Sequence, residues 1–277
     1  KETVLDGSLT MTLTNGGNLL ALDAKVSGAN VSLSVGDQVT PPLNLEVDTV
    51  LNYDGDGEKV VIQQFGLSVA DGLVPSITGK LAQPITFDWS GRSDSFQEPE
   101  FNLNIAKFDL GKWREFTANT VQAGELFGDL NLKVQQSGAR MQAVYKGGLQ
   151  GTDVQWDGHD EKGTSAALDL NVVVEDYTRL ILNRAEAEWN NAAGNSLATV
   201  SSSGSYALGS NGYNIQSDGK ANLALLKPFL SVDGLSIDQG AGEFSVRLQS
   251  RNNELSGVVQ TALRDFTGTF FGMPFNR

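Results

Sequence analysis

The chain contains no cysteine. That excludes disulfides, thiolate zinc sites and thiol catalysis together, and it fits either a reducing cytosol or an envelope protein that avoids oxidation. Histidine is nearly absent as well, with His159 alone in the run Asp157-Gly158-His159-Asp160-Glu161-Lys162-Gly163. A single imidazole in a charged, glycine-bounded turn reads as a solvated loop residue rather than a base or a ligand. There is no G-x-S-x-G elbow and no G-x-x-x-x-G-K-[ST] loop, so serine hydrolysis and nucleotide-driven work have no local signature. Uninterrupted apolar runs such as Val60–Ile62 and Val172–Val174 fall far below the ~18 residues that cross a bilayer. No basic n-region followed by an apolar h-region opens the chain. Basic residues are outnumbered 33 to 20, and a net charge of −13 repels phosphate backbones, so no nucleic acid is expected as a partner.

What the 277 residues do contain is alternation. Leu9, Met11 and Leu13 alternate with Ser8, Thr10 and Thr12, and Leu20 and Leu22 continue the pattern. Further on, Leu45, Val47, Phe65 and Leu67, then Leu103 and Ile105, take alternate positions. The later chain repeats it in Leu130 with Leu132, Leu168 with Leu170, and Val246 with Leu248. Period two is the signature of strands with one dry and one wet face, and commitment of both faces fixes register. Turn signals such as Asn15-Gly16-Gly17, Asp54-Gly55-Asp56-Gly57, Asp71-Gly72 and Asn211-Gly212 separate the runs, which predicts successive hairpins. Eighteen to twenty strands are expected. Short helical turns are expected at Phe108–Phe116 and Leu223–Leu230, the second limited by Pro228; residues 178–189 read as strand despite helix-favouring Ala and Glu.

Three stretches repeat the same motif. Asp6-Gly7-Ser8-Leu9, Ala123-Gly124-Glu125-Leu126 and Ala241-Gly242-Glu243-Phe244 lie 117 and 118 residues apart by their glycines. Each runs into a second strand, at 19–26, 139–145 and 254–263. FNLNIAKFDL at 101–110 corresponds to ANLALLKPFL at 221–230. The organisation expected is a partial first unit over 1–100, a second over 101–220 and the start of a third over 221–277, in one continuous β structure. Because Lys1 opens the chain and strand pattern begins by Val4, the polypeptide reads as an excerpt of a longer one.

Open twisted sheets rarely exceed ~10 strands without curling, splitting or flattening, so a sheet this long should bend into a trough or stack in layers. The fold class expected is therefore all-β, an elongated, curved antiparallel sheet forming a U-shaped hydrophobic groove with a few short helical turns. FNLNIAKFDLGKW, and above all 221–248 with its Lys-Pro-Phe-Leu turn leading to AGEFSVRL, resembles the repeats of the AsmA-like superfamily. The resemblance implies a β-groove in the bacterial periplasm and cell envelope, anchored to the inner membrane by a segment outside this chain and carrying phospholipids toward the outer membrane. Partitioning would be the mechanism, since a sixteen-carbon chain exposed to water costs on the order of 10 kcal/mol. No cofactor and no enzyme activity are expected. The floor residues would be Leu9, Met11, Leu13, Leu20, Leu22, Leu45, Val47, Phe65, Leu67, Leu103, Ile105, Leu130, Leu132, Leu168, Leu170, Val246 and Leu248. Two rival readings stand beside it: a structural or adhesive surface protein with a closed β core, and a glycan-binding or glycan-active β scaffold.

Other side chains have candidate chemistry. Asn52-x-Asp54-x-Asp56-Gly57 matches the opening of a calcium loop, but its twelfth position is Gln63 and strands should flank it, which favours a plain hairpin turn. Trp89, Trp113, Trp156 and Trp189 are candidate sugar-stacking platforms, read here as core or rim plugs. Lys107, Lys112 and Arg114 form one basic cluster beside Phe108, Trp113 and Phe116, read as a solvated amphipathic turn. Paired carboxylates, as in glycoside hydrolysis, are read as members of the wet face.

Overall fold

The computed structural model describes residues 3–72, 74–90, 98–135, 139–156, 159–208, 212–226, 235–251 and 254–276. Pro228 and the Lys-Pro-Phe-Leu turn, the Asp157-Gly158 turn and Asn211 lie outside them. The chain is all-β, about 78% strand, in one antiparallel, unclosed sheet of 16 strands. The alternating stretches become the strands expected of them. β1 (Val4–Thr14) and β2 (Leu19–Val31) form the first hairpin, and β3 (Ser34–Val35) with β4 (Gln38–Val39) a two-stranded aside. β5 (Leu43–Asp54), β6 (Lys59–Ala70), β7 (Pro75–Leu81), β8 (Ile85–Asp88) and β9 (Glu100–Asp109) follow. Then come β10 (Val121–Gln135), β11 (Arg140–Trp156), β12 (His159–Glu175), β13 (Arg179–Asn190), β14 (Ser196–Ala207), β15 (Gly212–Asn222), β16 (Leu235–Arg251), β17 (Glu254–Phe270) and β18 (Met273–Asn276).

The sheet follows chain order, β1-β2-β5-β6-β7-β9-β10 and onward to β18, so nearly every connection is local. β8 is off the path because β6 is shared: its residues 66–70 pair with β7 and its residues 59–62 with β8. The repeated motif falls on the hairpins β1–β2, β10–β11 and β16–β17. Of the upstream segments, 101–109 belong to strand β9, while 221–222 end β15, 223–226 are turn and 227–230 lie outside the described residues.

The expected helical turn near 108–116 is a 3-10 segment, Leu110–Thr117, entered through Asp109, whose carboxylate accepts from the Gly111 N–H at 3.0 Å. Ala118 ends it in the left-handed region at φ 50°. Near 223 the described part is one turn, in which Leu226 N–H donates to the Asn222 carbonyl at 3.0 Å and Leu225 N–H to the Asn222 side chain at 3.2 Å. Residues 179–190 are strand β13, as expected, with Thr178 in the turn before it.

Two compact units emerge, one of residues 1–108 with 127–143 and the other of 109–126 with 144–277. Among the described residues neither shows a conventional core. Among the described residues the buried apolar side chains are Val173, Leu197 and Ile237, all in the second unit. Close backbone packing substitutes locally. Where β11 passes β12, a methyl at Gly148 would overlap the Ala166 carbonyl oxygen, a backbone atom that cannot move alone. Gly148→Ala should therefore destabilise the second unit by about 3 kcal/mol or more, at the upper end of overpacking costs. A lowered urea midpoint checks this; a midpoint unchanged from wild type would mean the two strands have room to part.

Candidate functional site

Cross-strand partners in an antiparallel ladder point to the same face, so the register sorts every side chain. In the first unit one face carries the row Leu13–Leu20–Tyr53–Val60–Phe87 and the row Met11–Leu22–Leu51–Ile62. Beside them run Leu9–Ala24–Thr49–Phe65, then Val26–Val47–Leu67–Gly79–Leu103, then Leu5–Gly28–Leu45–Val69–Ile77–Ile105. Leu130 and Leu132 join this face by alternation, because Asn131 between them donates to Asn102 at 2.7 Å on the other side. The opposite face is hydrophilic, with Lys25 paired to Glu46 at 2.7 Å and Asn104 donating to Asp129 at 2.8 Å.

The second unit is built the same way. Leu168 stands in a row with Ala187, Val200, Gly219, Phe244 and Thr261. Leu170 shares a row with Ala185, Ser202, Ser217, Val246 and Val259, and Leu248 one with Val172, Leu182, Gly204, Ile215 and Gly257. Three hydroxyl residues interrupt these rows: Thr261 ends the Leu168 row, and the Ser202 and Ser217 hydroxyls, 2.8 Å apart, bond to each other. The centre of the face is low, since Ala185, Ala187, Gly204 and Gly219 lie there, and the Phe244 ring folds over Gly219.

These faces stay accessible. Leu9 is 66% exposed and Leu13 55% at one end of the first unit, and Leu255 is 65% and Leu263 61% at one end of the second. Toward the middle of each unit the apolar positions are half-buried, and ring pairs such as Phe65 with Phe101 at 6.0 Å shield one another.

Sequence reasoning missed part of each face, for a geometric reason. Gln63 is an extra residue between the pairs Val50↔Gln64 and Leu51↔Ile62, and Asn183 is another between Asn171↔Arg184 and Val172↔Leu182. A bulge reverses the parity of everything beyond it, so Val60 and Ile62 share a face with Phe65 and Leu67 although strict alternation would separate them.

A concavity of the second unit, about 860 Å³, is lined by residues of the Leu168 row together with those of the two polar rows beside it. Its walls hold Glu188, Thr199, Lys220 and Glu243 on one side of the Leu168 row and Glu186, Ser201, Asp218 and Ser245 on the other. By register those side chains point away from the apolar face. Two ion clusters rim it. Asp169 takes Arg184 at 2.7 Å and Lys146 at 3.6 Å; Glu243 takes Arg264 at 2.9 Å and Lys220 at 3.4 Å. The Ser245 hydroxyl and the Gln216 amide hold the Asp218 carboxyl below the usual range. The acids are thus tied to neighbours on a wet face, and such exposed pairs contribute little each.

The remaining candidates resolve into structural parts. Asp56 accepts the Asn15 and Asn18 side-chain amides at 3.0 and 2.8 Å, lacing the β5–β6 turn to the β1–β2 turn. Asp54 accepts the Gly57 N–H at 2.8 Å and meets Lys59 at 3.4 Å, and the Gly57 bond is the main cause of its lowered pKa. Those oxygens serve the turn. A depressed carboxylate adds stability that is complete above its unfolded pKa and lost as pH falls through the folded value. The Gly57 amide should therefore lose its exchange protection on acidification well before the strands part; an amide insensitive to acid would show that the bond is not held in solution. Trp89 stacks on Tyr53 at 6.3 Å, Trp113 packs on Phe116 at 5.3 Å, and Trp189 stands half-buried opposite Ala166 and Ala198. Lys107 ends β9, while Lys112 and Arg114 lie exposed on the 3-10 segment. His159 opens β12; its side chain, like that of Trp156, lies outside the described residues. No family model, no curated protein and no solved structure matches this chain.

Proposed function

We propose that each unit of this chain holds the acyl chains of phospholipids against its apolar face, and that the chain is a segment of a lipid-transfer protein of the bacterial envelope. The observation that carries the reading is the coincidence of two facts. Rows of Leu, Ile, Val, Phe and Met run across neighbouring strands on one face, and in the described structure no second layer covers them. Soluble chains rarely leave contiguous apolar patches beyond a few hundred Å² open, and those that do use them for ligands, partners or membranes. Alkyl chains suit this face because it offers area with few polar anchors, and of its hydroxyls Ser202 and Ser217 bond to each other. Binding is by partition at about 0.8 kcal/mol per methylene withdrawn from water, with the headgroup left in solvent, and no side chain need react.

The resemblance to AsmA-like repeats supports the same assignment and supplies the setting, transfer between inner and outer membranes. A closed-core adhesive protein would need the Leu9, Leu13, Leu255 and Leu263 positions buried, and they are not. Native mass spectrometry of the chain purified without detergent tests the proposal. Retained phospholipid, and re-uptake after delipidation, are expected; a chain that comes off empty and takes up neither phospholipid nor an apolar dye contradicts it.

A further inference from the structure

Two hydroxyls stand in the middle of the second unit's apolar face, and one of their protons has no acceptor there. Ser202 and Ser217 are cross-strand partners, both half-buried, with their oxygens 2.8 Å apart. Around them the same face holds Ala185 and Val246 along the row, Val200 and Gly204 on β14, and Ile215 and Gly219 on β15. None of these neighbours has a side chain that can hydrogen-bond. A bond between two hydroxyls consumes one proton and leaves the accepting hydroxyl with its own. Among the described residues that second proton meets no acceptor. Thr49, on the apolar face of the first unit, is different, because its hydroxyl donates to the Gln64 carbonyl at 3.2 Å. A bare hydroxyl proton covered by hydrocarbon is costly, since water is driven off and nothing replaces it.

We infer that the Ser202–Ser217 pair selects acyl chains that carry a hydroxyl group near mid-chain. The inference rests on the acyl-chain reading above and assigns it a preferred substrate. A chain hydroxyl accepts the spare serine proton and gives its own to a serine oxygen, so the three groups close a small network in which each both donates and accepts. Position matters as well as chemistry. Ser202 lies five residues from Ala207 and six from Ser196, the two ends of β14, or roughly 17 and 20 Å at ~3.4 Å per residue. With the headgroup in solvent beyond the strand ends, an oxygen of the ester or at carbon 3 stays near the rim, and only one far along the chain comes over the pair. Ala185 and Gly204 beside the serines are too small to cover them.

Stearate, 3-hydroxystearate and 12-hydroxystearate are the probes, titrated onto the delipidated chain by displacement of a fluorescent fatty acid. In wild type 12-hydroxystearate should bind within about threefold of stearate; in the double variant Ser202→Ala with Ser217→Ala it should fall behind by about tenfold or more, the penalty of an unpartnered hydroxyl on hydrocarbon. The 3-hydroxy acid should keep one ratio to stearate in both proteins. Ser203→Ala removes a hydroxyl from the same strand on the opposite face, and it should leave the 12-hydroxy ratio as in wild type. A pair that only fixed the β14–β15 register would change uptake of all three acids together. A ratio indifferent to the two serines, or one that shifts equally for the 3-hydroxy acid, overturns the assignment and leaves the acyl-chain reading standing. A wild type that takes up none of the three acids removes both.

Discussion

Leu168→Asp should weaken acyl-chain binding by about thirtyfold and leave the strand content unchanged. Leu168 is 39% exposed, in a row with Ala187 and Val200 that provides only small neighbours. With no lipid bound, the new carboxylate turns into water, and a change of this kind at an open site alters stability by less than about 1 kcal/mol. A bound chain removes that escape. It forfeits contact with the Leu side chain, about 2 kcal/mol by methylene count, which is a factor of about thirty in affinity. Titration of a fluorescent phospholipid, with circular dichroism as the folding control, reads both quantities. Unaltered binding in a folded variant would remove Leu168 from the lipid surface. Unfolding would mean that the face is a core.

Stability should divide sharply between two leucines that the sequence does not distinguish. Leu197 is 1% exposed, beside the register shift where Trp189 pairs with Ala198 and Asn190 with Ser196. Truncating it leaves a cavity, and Leu197→Ala should cost about 2–5 kcal/mol. Leu13 is 55% exposed on the edge strand, and Leu13→Ala should stay within about 0.5 kcal/mol of wild type. Urea unfolding of the two variants gives the comparison. Equal costs would show that Leu13 is covered in solution, by a second copy or by a segment folded over it, and would end the description of that face as open.

The strands were legible because period two is a purely local rule. Leu9, Met11 and Leu13 advertise β1 without reference to anything distant, whereas 179–190, rich in helix-favouring Ala, Glu and Leu, is strand because it pairs with β12 on one side and β14 on the other. The membership of the apolar face was legible only as far as the next bulge. Nothing about Gln63 or Asn183 as residue types announces that each is skipped by its ladder, yet skipping them decides where Val60, Ile62, Leu180 and Leu182 point. The small positions Gly204 and Gly219, and the serine pair between Ala185 and Val246, read as turn or polar residues in sequence but occupy the apolar face. The furrow along Glu186, Glu188 and Asp218 is not legible in the sequence, because its lining is drawn from seven strands and no one of them announces it.

The most direct test of the account is where an acyl chain touches the protein. A phospholipid with a diazirine at the middle of one chain, photolysed on the chain and mapped by peptide mass spectrometry, should label the apolar rows around Leu22, Leu51, Val200 and Val246. Labelling confined to the opposite face, at Glu186, Glu188, Ser201 or Asp218, would contradict it.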